Sequence, residues 1–369
     1  IGFVYAGQGS QIVGMGKSFY DNYQVARDVF DNIDLDIDIK KLCFEGPLQE
    51  LSKTSNTQPC MVAVAVVATK LLKENGVVPD YVAGLSLGEY SALNASGVLD
   101  DQMAINLVRF RGQAMERAAI GIESKMIAII GLDRELLNEA VDEASNLGVV
   151  SIANYNCPGQ LVIGGEANAV TKASELAIEK GARRAIPLNT SGPFHTSLLV
   201  PASLELKEKF ASVEFKEMKI PVVFNSSAKE LEADESVAKM LEKQVMSSVY
   251  FEDSVRYMIA NGVDTIIEIG PGSGEAGGEI LDQGTPLEIE KNPQSLIAPY
   301  LDGNADLMAR KVSDKVNSEQ VTFEVDHYFN LHDIKAGIPV NQITAVTGFS
   351  GAGKTSLILD SIVPAIKAQ

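Results

Sequence analysis

The sequence predicts an α/β protein: a hydrolase-like large domain with a parallel sheet and a nucleophile elbow, an inserted ferredoxin-like βαββαβ subdomain, and a partial P-loop tail. Three observations predict it. An apolar strand, Tyr81-Val82-Ala83, runs into the turn Gly84-Leu85-Ser86-Leu87-Gly88, and a helix from Gly88 through Ser96 leaves it. Between Met126 and Leu188, strand and helix patterns alternate in the order βαββαβ. Near the far end, Gly348 through Thr355 spells G-x-x-x-x-G-K-[ST] after an apolar strand.

Size and charge bound the rest. At 369 residues the chain exceeds one typical domain. The expected division is a large α/β domain over 1–124 and 189–272, a small subdomain over 125–188, and a tail over 273–369. The formal net charge of −18 argues against broad binding to nucleic acid or anionic membrane. Cys43, Cys60 and Cys157 form no C-x-x-C pair, which points to a reducing, cytoplasmic setting with each thiol a small buried hydrophobe. The apolar run Met61–Leu72 is interrupted by Lys70 and is too short to span a bilayer. Residue 1 is Ile and sits almost within a strand, which reads as a trimmed start.

In chain order, Ile1–Tyr5 reads as a buried strand ending in the glycine-rich loop Ala6–Gln11, with a helix from about Gly14 to Ile33. The full G-x-G-x-x-G spacing is missing from that loop, so a dinucleotide site is set aside. Thr57–Glu74 and Leu99–Ala119 read as helices on either side of the elbow, the second carrying Arg109 and Arg111. The βαββαβ unit follows, its middle strands joined across Cys157-Pro158-Gly159. Then come the loop Pro193-Phe194-His195, helices at Leu199–Ala211, Ser236–Met246 and Phe251–Asn261, and strands at Ile220–Asn225 and Thr265–Ile269. Past Gly272 the texture becomes glycine-rich and polar, with strands at Val321–Phe329 and Ile343–Val346.

The chemistry centres on Ser86. A sharp strand-to-helix turn needs neighbours without a Cβ, and it holds the serine hydroxyl out at the sheet's carboxyl edge. The helix N-terminus behind it offers unpaired N–H groups to an oxyanion. Before residue 327 the chain has a single histidine, His195, so a Ser-His catalyst has no other histidine base. A histidine near its ordinary pKa serves as base and then as acid close to neutral pH. Spacing does not identify an acidic third member; a carbonyl can orient the imidazole instead.

These residues carry a resemblance. Residues 1–272 resemble the malonyl-CoA:acyl-carrier-protein transacylases of bacterial type II fatty-acid synthesis. The shared stretches are the opening FVYAGQGSQ, TQP at Thr57–Pro59, GLSLGEYSAL at the elbow, Arg111-Gly112, ANYNCPGQLVIGGE, GPFH at His195 and the closing EIGPG. The resemblance implies Ser86 as the acyl-accepting nucleophile and His195 as its general base and acid. It implies backbone N–H groups of Gln8 and Leu87 as the oxyanion hole and Arg111 as the partner of the free malonyl carboxylate. It places Gln244 where a carbonyl orients the histidine, and Gln58, Asn154 and Phe194 around the acyl pocket. A carboxylate in a closed pocket needs a matched cation; on residue type alone, Arg109 is as good a candidate as Arg111. The resemblance further implies that no cofactor is required, that the substrates are malonyl-CoA and acyl carrier protein, and that no membrane is involved. One position and one segment depart from the family without bearing chemistry: Leu85, where many members have histidine, and Ser247 to Tyr250.

After Gly272 the family's usual lysine, apolar helix and final strand give way to Ser273-Gly274-Glu275-Ala276. From about 269 onward the chain resembles the DNA-repair ATPase component of the ABC excinuclease, making the tail a partial P-loop ATPase-like fragment. The P-loop names Gly348, Gly353, Lys354 and Thr355 as nucleotide-binding candidates, with Lys354 on phosphate and Thr355 on Mg²⁺. No later strand supplies a Walker B aspartate, so ATP hydrolysis is not expected. His327 and His332 read as ordinary polar residues. Both resemblances share the hexamer Ile/Val-Glu/Asp-Ile-Gly-Pro-Gly, here Ile267 to Gly272, and the expectation is a chimera joined at that stretch. Malonyl transfer is the leading expectation; a nucleotide-binding module through Lys354 and a serine esterase indifferent to Arg111 are the alternatives.

Overall fold

The computed structural model describes residues 1–271, 280–284, 320–328 and 331–339. The chain divides into two compact units, Ile1–Leu307 and Met308–Gln369.

In the first unit, β1 (Gly2–Tyr5) opens the chain with four buried residues. Helices α1 (Lys17–Asn22) and α2 (Gln24–Asp31) replace the single helix expected from Gly14 to Ile33. Tyr23 separates them with an extended backbone, φ −124° and ψ 134°, and no glycine or proline marks the break. After α3 (Ile39–Glu45) and α4 (Leu48–Leu51) comes α5 (Thr54–Glu74), which contains Pro59. Proline donates no N–H and its ring crowds the carbonyl four residues back. That carbonyl, on Ser55, accepts Nη1 of Arg109 at 2.9 Å instead.

The elbow follows: β2 (Tyr81–Gly84), then α6 (Gly88–Ala95). Next is α7 (Asp101–Ala119), whose first turn is capped by the Asp100 carboxylate accepting the Met103 N–H. The alternating section is β3 (Ser124–Ile130), α8 (Arg134–Ala144), β4 (Val150–Cys157), β5 (Gln160–Glu166), α9 (Ala167–Glu179) and β6 (Arg184–Pro187). The chain continues through α10 (Val200–Phe210), β7 (Val222–Val223), α11 (Val237–Gln244), β8 (Val249–Tyr250), α12 (Phe251–Ala260), β9 (Ile266–Ile269) and β10 (Ile280–Gly284).

Two sheets organise these elements. In the first, ordered β10-β9-β1-β2-β7, the pairs β9–β1, β1–β2 and β2–β7 are parallel. The sheet is not wholly parallel: β10, from the segment assigned above to the tail, runs antiparallel along β9 within the first unit. An antiparallel strand satisfies the backbone groups of an otherwise open parallel edge. The second sheet is ordered β6-β3-β5-β4-β8. Its first four strands are antiparallel, in the order of a ferredoxin-like unit. The fifth, β8, arrives from outside 125–188 and runs parallel to β4. There Tyr250 stacks on Tyr155 with ring centroids 4.8 Å apart, and Arg134 of α8 pairs with Glu252 and Asp253 of α12 at 2.7 and 2.8 Å.

One large buried cluster takes residues from both sheets, including Met126, Ala128 and Val162 of the second, and a smaller one lies on the far face of the second sheet. Phe3, Tyr5 and Val82 pack with α5, α6 and α7, whereas Ile127, Ile129 and Ile163 pack with α8 and α9. All three cysteines are buried free thiols. Among the described residues, no helix is long and apolar enough to cross a membrane, and no cluster of three or more His, Cys, Asp or Glu is placed to hold a metal ion. In the second unit, β11 (Gln320–Tyr328) and β12 (Leu331–Pro339) form an antiparallel hairpin that brings His327 opposite His332 in register. Gly348, Gly353, Lys354 and Thr355 lie outside the described residues.

Candidate active site

The site forms where β2 turns into α6. The turn admits no side chain on its flanking glycines. A Cβ on Gly84 would sit 2.0 Å from the carbonyl carbon of Gly88, and one on Gly88 would sit 2.3 Å from the Tyr5 carbonyl oxygen. Ser86, between them, takes a left-handed backbone with φ 53°. Its N–H donates to Asn225 Oδ1 at 2.7 Å, and its carbonyl accepts Gln244 Nε2 at 2.7 Å.

His195 follows β6 on the loop before α10, also left-handed with φ 60°. Its Nε2 stands 2.6 Å from Ser86 Oγ, and its Nδ1 stands 2.9 Å from the Gln244 carbonyl oxygen. A carbonyl can only accept, so Nδ1 carries the hydrogen and Nε2 is free to accept the serine hydroxyl proton. The near-ordinary pKa expected for this histidine is corrected here. Burial, followed by the nearby positive charge of Arg111, pushes it down to about 4.

The two arginines of α7 have different partners. Arg109 is committed to Asp36, in a two-pronged pair at 2.9 and 2.7 Å, and to the Ser55 carbonyl freed by Pro59. Arg111 is buried, 1% exposed. Its Nη2 donates to Ser86 Oγ at 3.2 Å and to Gln244 Oε1 at 3.0 Å, and its guanidinium lies 5.6 Å from the centroid of the Tyr90 ring. The Nε of Arg111 has no hydrogen-bond partner among the described residues.

Gln8, on the loop after β1, anchors its side chain by donating to Thr54 Oγ1 at 3.0 Å. The backbone N–H groups of Gln8 and Leu87 take part in no hydrogen bond with another described residue. Two backbone donors with no internal partner, beside a nucleophile-bearing turn, are the ingredients of an oxyanion hole. The three pocket candidates fare differently. Gln58 is buried and turns its amide toward Gln8 Oε1 and Met115 Sδ, at 3.4 and 3.5 Å. Phe194 is buried beside His195. Asn154 lies in β4, in register with Val249 of β8. The cavity of ≈ 340 Å³ that opens on Gln8, Leu85, Asn156 and Phe251 is lined by none of the three, nor by Ser86, His195 or Arg111.

Sequence reasoning missed two residues of this network. Asn225 donates its Nδ2 to the Gly84 carbonyl at 2.6 Å while accepting from Ser86, and its own N–H donates to Glu89 Oε2 at 2.5 Å. Glu89 is fully buried, and that burial, partly offset by the Asn225 N–H and the charge of Arg111, pushes its carboxyl up to about 8. The only sequence signal was position: Glu89 directly follows the second elbow glycine. The side chain of Gln244, as distinct from its carbonyl, was also not foreseen.

A serine held by a neutral histidine, with a buried arginine at the same oxygen, defines an enzyme of the serine acyl-transfer class on an α/β fold. The chain belongs to the acyl transferase domain family, which residues 2–276 match. It is 45% identical over 275 residues to the malonyl CoA-acyl carrier protein transacylase of Bacillus subtilis strain 168, covering 74% of this chain and 87% of that protein. The crystal structure of MCAT from Streptococcus pneumoniae matches with 46% identity and a TM-score of 0.70, over 73% of this chain and 89% of that one. A malonyl-transacylase solved in complex with its type II polyketide acyl-carrier protein matches with 38% identity and a TM-score of 0.71, over 73% and 89% of the two chains.

Proposed function

We propose that this protein transfers a malonyl group from coenzyme A to the phosphopantetheine thiol of acyl carrier protein, through a malonyl ester on Ser86, in fatty-acid synthesis. The observation that carries the reading is the convergence on one oxygen: Ser86 Oγ has the His195 Nε2 acceptor at 2.6 Å and the buried Arg111 guanidinium at 3.2 Å. A nucleophile with its base suits any acyl transfer. A desolvated arginine beside it suits an acyl group that carries its own carboxylate.

The mechanism is ping-pong. His195 Nε2 takes the Ser86 proton as Oγ attacks the thioester carbonyl, and the oxyanion forms against the N–H groups of Gln8 and Leu87. Each such donor is worth roughly 2.7–4 kcal/mol of barrier. The C–S bond breaks, and the imidazolium returns its proton to the departing coenzyme A thiolate. The carrier thiol then gives its proton to His195 and attacks the malonyl ester, the C–Oγ bond breaks, and the imidazolium returns the proton to Ser86 Oγ. Arg111 holds the malonyl carboxylate through both halves, and the Gln244 carbonyl holds the imidazole. Gln58, Asn154 and Phe194 shape the acyl site in this reading. No cofactor takes part. The relative solved with an acyl-carrier protein supports the second substrate, and the cytoplasm is the compartment where both substrates meet.

The test is incubation with radiolabelled malonyl-CoA. Intact protein takes up label that Ser86→Ala loses and that acyl carrier protein discharges. Absence of label on the intact protein ends the reading.

For the tail we infer, from sequence alone, a fragment like the ATPase component of the ABC excinuclease. It is joined near residues 269–272 to an acyltransferase of large domain 1–124 and 189–272 with small subdomain 125–188. The P-loop at Gly348 to Thr355 supports it. ATP binding lost in Lys354→Ala tests the motif, and no binding by the full chain refutes it. Mass spectrometry of the source tests the junction: two separate, complete proteins there would make the joined chain artificial.

A further inference from the structure

We propose that Asn225 and Glu89 form a two-step positioning relay beneath the nucleophile, in which the Glu89 carboxyl fixes the Asn225 backbone and the Asn225 carboxamide holds the Ser86 turn. The proposal rests on the acyl-transfer reading of Ser86. One carboxamide clamps both sides of the elbow: Oδ1 takes the Ser86 N–H at 2.7 Å, and Nδ2 gives to the Gly84 carbonyl at 2.6 Å. A non-glycine residue keeps a left-handed backbone only where its surroundings over-determine it. Ser86, at φ 53°, has that surrounding in Asn225.

The relay also decides which amide faces the substrate. With its N–H tied to Asn225, Ser86 cannot use its own amide as an oxyanion donor. The Leu87 N–H, one residue on, makes no hydrogen bond to another described residue. Asn225 thereby fixes the rotation of the turn, which sets both the Oγ to Nε2 distance and the direction of the Leu87 N–H. Behind it, Glu89 Oε2 accepts the Asn225 N–H at 2.5 Å, and both residues are fully buried. Neither is placed to touch substrate in this arrangement. They act through Ser86, so their loss falls on the chemical step and not on substrate affinity.

The test uses the full chain with malonyl-CoA and acyl carrier protein. In parallel, a fluorophosphonate probe reports on Ser86 without any malonyl group: Oγ bonds to phosphorus, the P–F bond breaks with loss of fluoride, and the serine proton goes to His195. Asn225→Ala is expected to lower kcat ten- to a hundredfold and to slow probe labelling by a similar factor. The KM for malonyl-CoA stays within twofold. Glu89→Ala gives a smaller loss of the same kind, and Glu89→Gln, whose amide oxygen still accepts, restores most of it. The double variant Glu89→Ala with Asn225→Ala is no slower than Asn225→Ala alone, because the first residue works through the second.

A folded Asn225→Ala with undiminished kcat and labelling overturns the relay. So does a double variant that loses the product of the two single factors. Should Asn225→Ala not fold, the two Glu89 variants decide: equal kcat in Glu89→Ala and the parent overturns it, and loss with rescue by glutamine supports it. If the parent transfers no malonyl while the probe behaves as described, the malonyl reading fails and the relay stands.

Discussion

His195 Nε2 and Ser86 Oγ stand 2.6 Å apart, and both residues hold left-handed backbone, at φ 60° and 53°. Such conformations cost a non-glycine residue about 1–3 kcal/mol each. The pair therefore exists because the surrounding hydrogen bonds outweigh that strain, and its properties follow from burial as much as from identity.

The pH profile follows first. With its pKa near 4, His195 is neutral across the physiological range and ready to accept a proton. The acid limb of kcat/KM for malonyl transfer is expected close to pH 4, well below the ordinary histidine value, since this parameter reports the free enzyme. Arg111→Ala removes one of the two causes and moves the limb upward. The same shift links to stability. Below about pH 6.5 the unfolded chain takes up the proton first, so the contribution of His195 is present above that pH and is lost as pH falls toward 4. A limb at 6.5 in the parent enzyme would contradict this.

Arg111→Ala tests the substrate. Truncating one partner of a buried charge pair costs roughly 2–5 kcal/mol. The kcat/KM for malonyl-CoA is expected to fall by about two to three orders of magnitude, with acetyl-CoA affected far less. Arg109→Ala, which breaks the Asp36 and Ser55 contacts instead, lowers Tm and leaves the malonyl-to-acetyl ratio unchanged. Competition between the two thioesters measures that ratio. Equal losses for both acyl groups in Arg111→Ala would remove Arg111 from selectivity.

Gly88→Ala probes the turn itself. The new Cβ would lie 2.3 Å from the Tyr5 carbonyl oxygen, backbone against backbone, with no flexible side chain to yield. Overpacking of this kind costs at least about 1–3 kcal/mol, and the separation of β1 from α6 must grow. Calorimetry is expected to show a lowered Tm, and serine labelling is expected to collapse. Full labelling at parental Tm would show that the turn is looser than these distances imply.

Glu89→Gln is expected to alter the pH dependence of stability. Its folded carboxyl titrates near 8, above the 4.5 of an unburied glutamic acid. Its contribution is therefore fully present below about pH 4.5 and is lost as pH rises through 8, because only the unfolded chain ionises in between. Replacing it by neutral glutamine removes that loss. The Tm difference, variant minus parent, should widen from pH 5 to 8 and then level off in thermal melts. A difference constant with pH would place the Glu89 titration elsewhere.

Ser86 and His195 were legible because a Gly-x-Ser-x-Gly turn and the one histidine before residue 327 advertise their chemistry, whereas Arg111 was told from Arg109 only through the family resemblance. The βαββαβ order was legible from alternating periodicity. Asn225 was not: it reads as the last residue of the strand Ile220–Asn225, and only the fold brings it against the elbow 139 residues away. Glu89 looks like an acid favouring a helix N-terminus, and nothing local shows that water is excluded from it. The depressed pKa of His195 likewise belongs to burial, a property of the whole fold. The break at Tyr23 carries no glycine or proline, so tertiary packing alone determines it.

The two-residue strand β8 has a consequence for how the molecule is made. Until Val249 and Tyr250 have left the ribosome, β4 keeps an unpaired outer edge. The Tyr250 N–H then donates to the Asn225 carbonyl at 2.9 Å, only a few residues beyond Gln244. Closing the small sheet, seating the amide that grips the elbow and delivering the carbonyl that aims the imidazole are thus contacts of long sequence separation made late in synthesis. A nascent chain stalled before residue 244 would carry the serine, the histidine and the arginine and still lack the carbonyl that aligns them, so acyl-transfer activity is withheld until synthesis has passed that point.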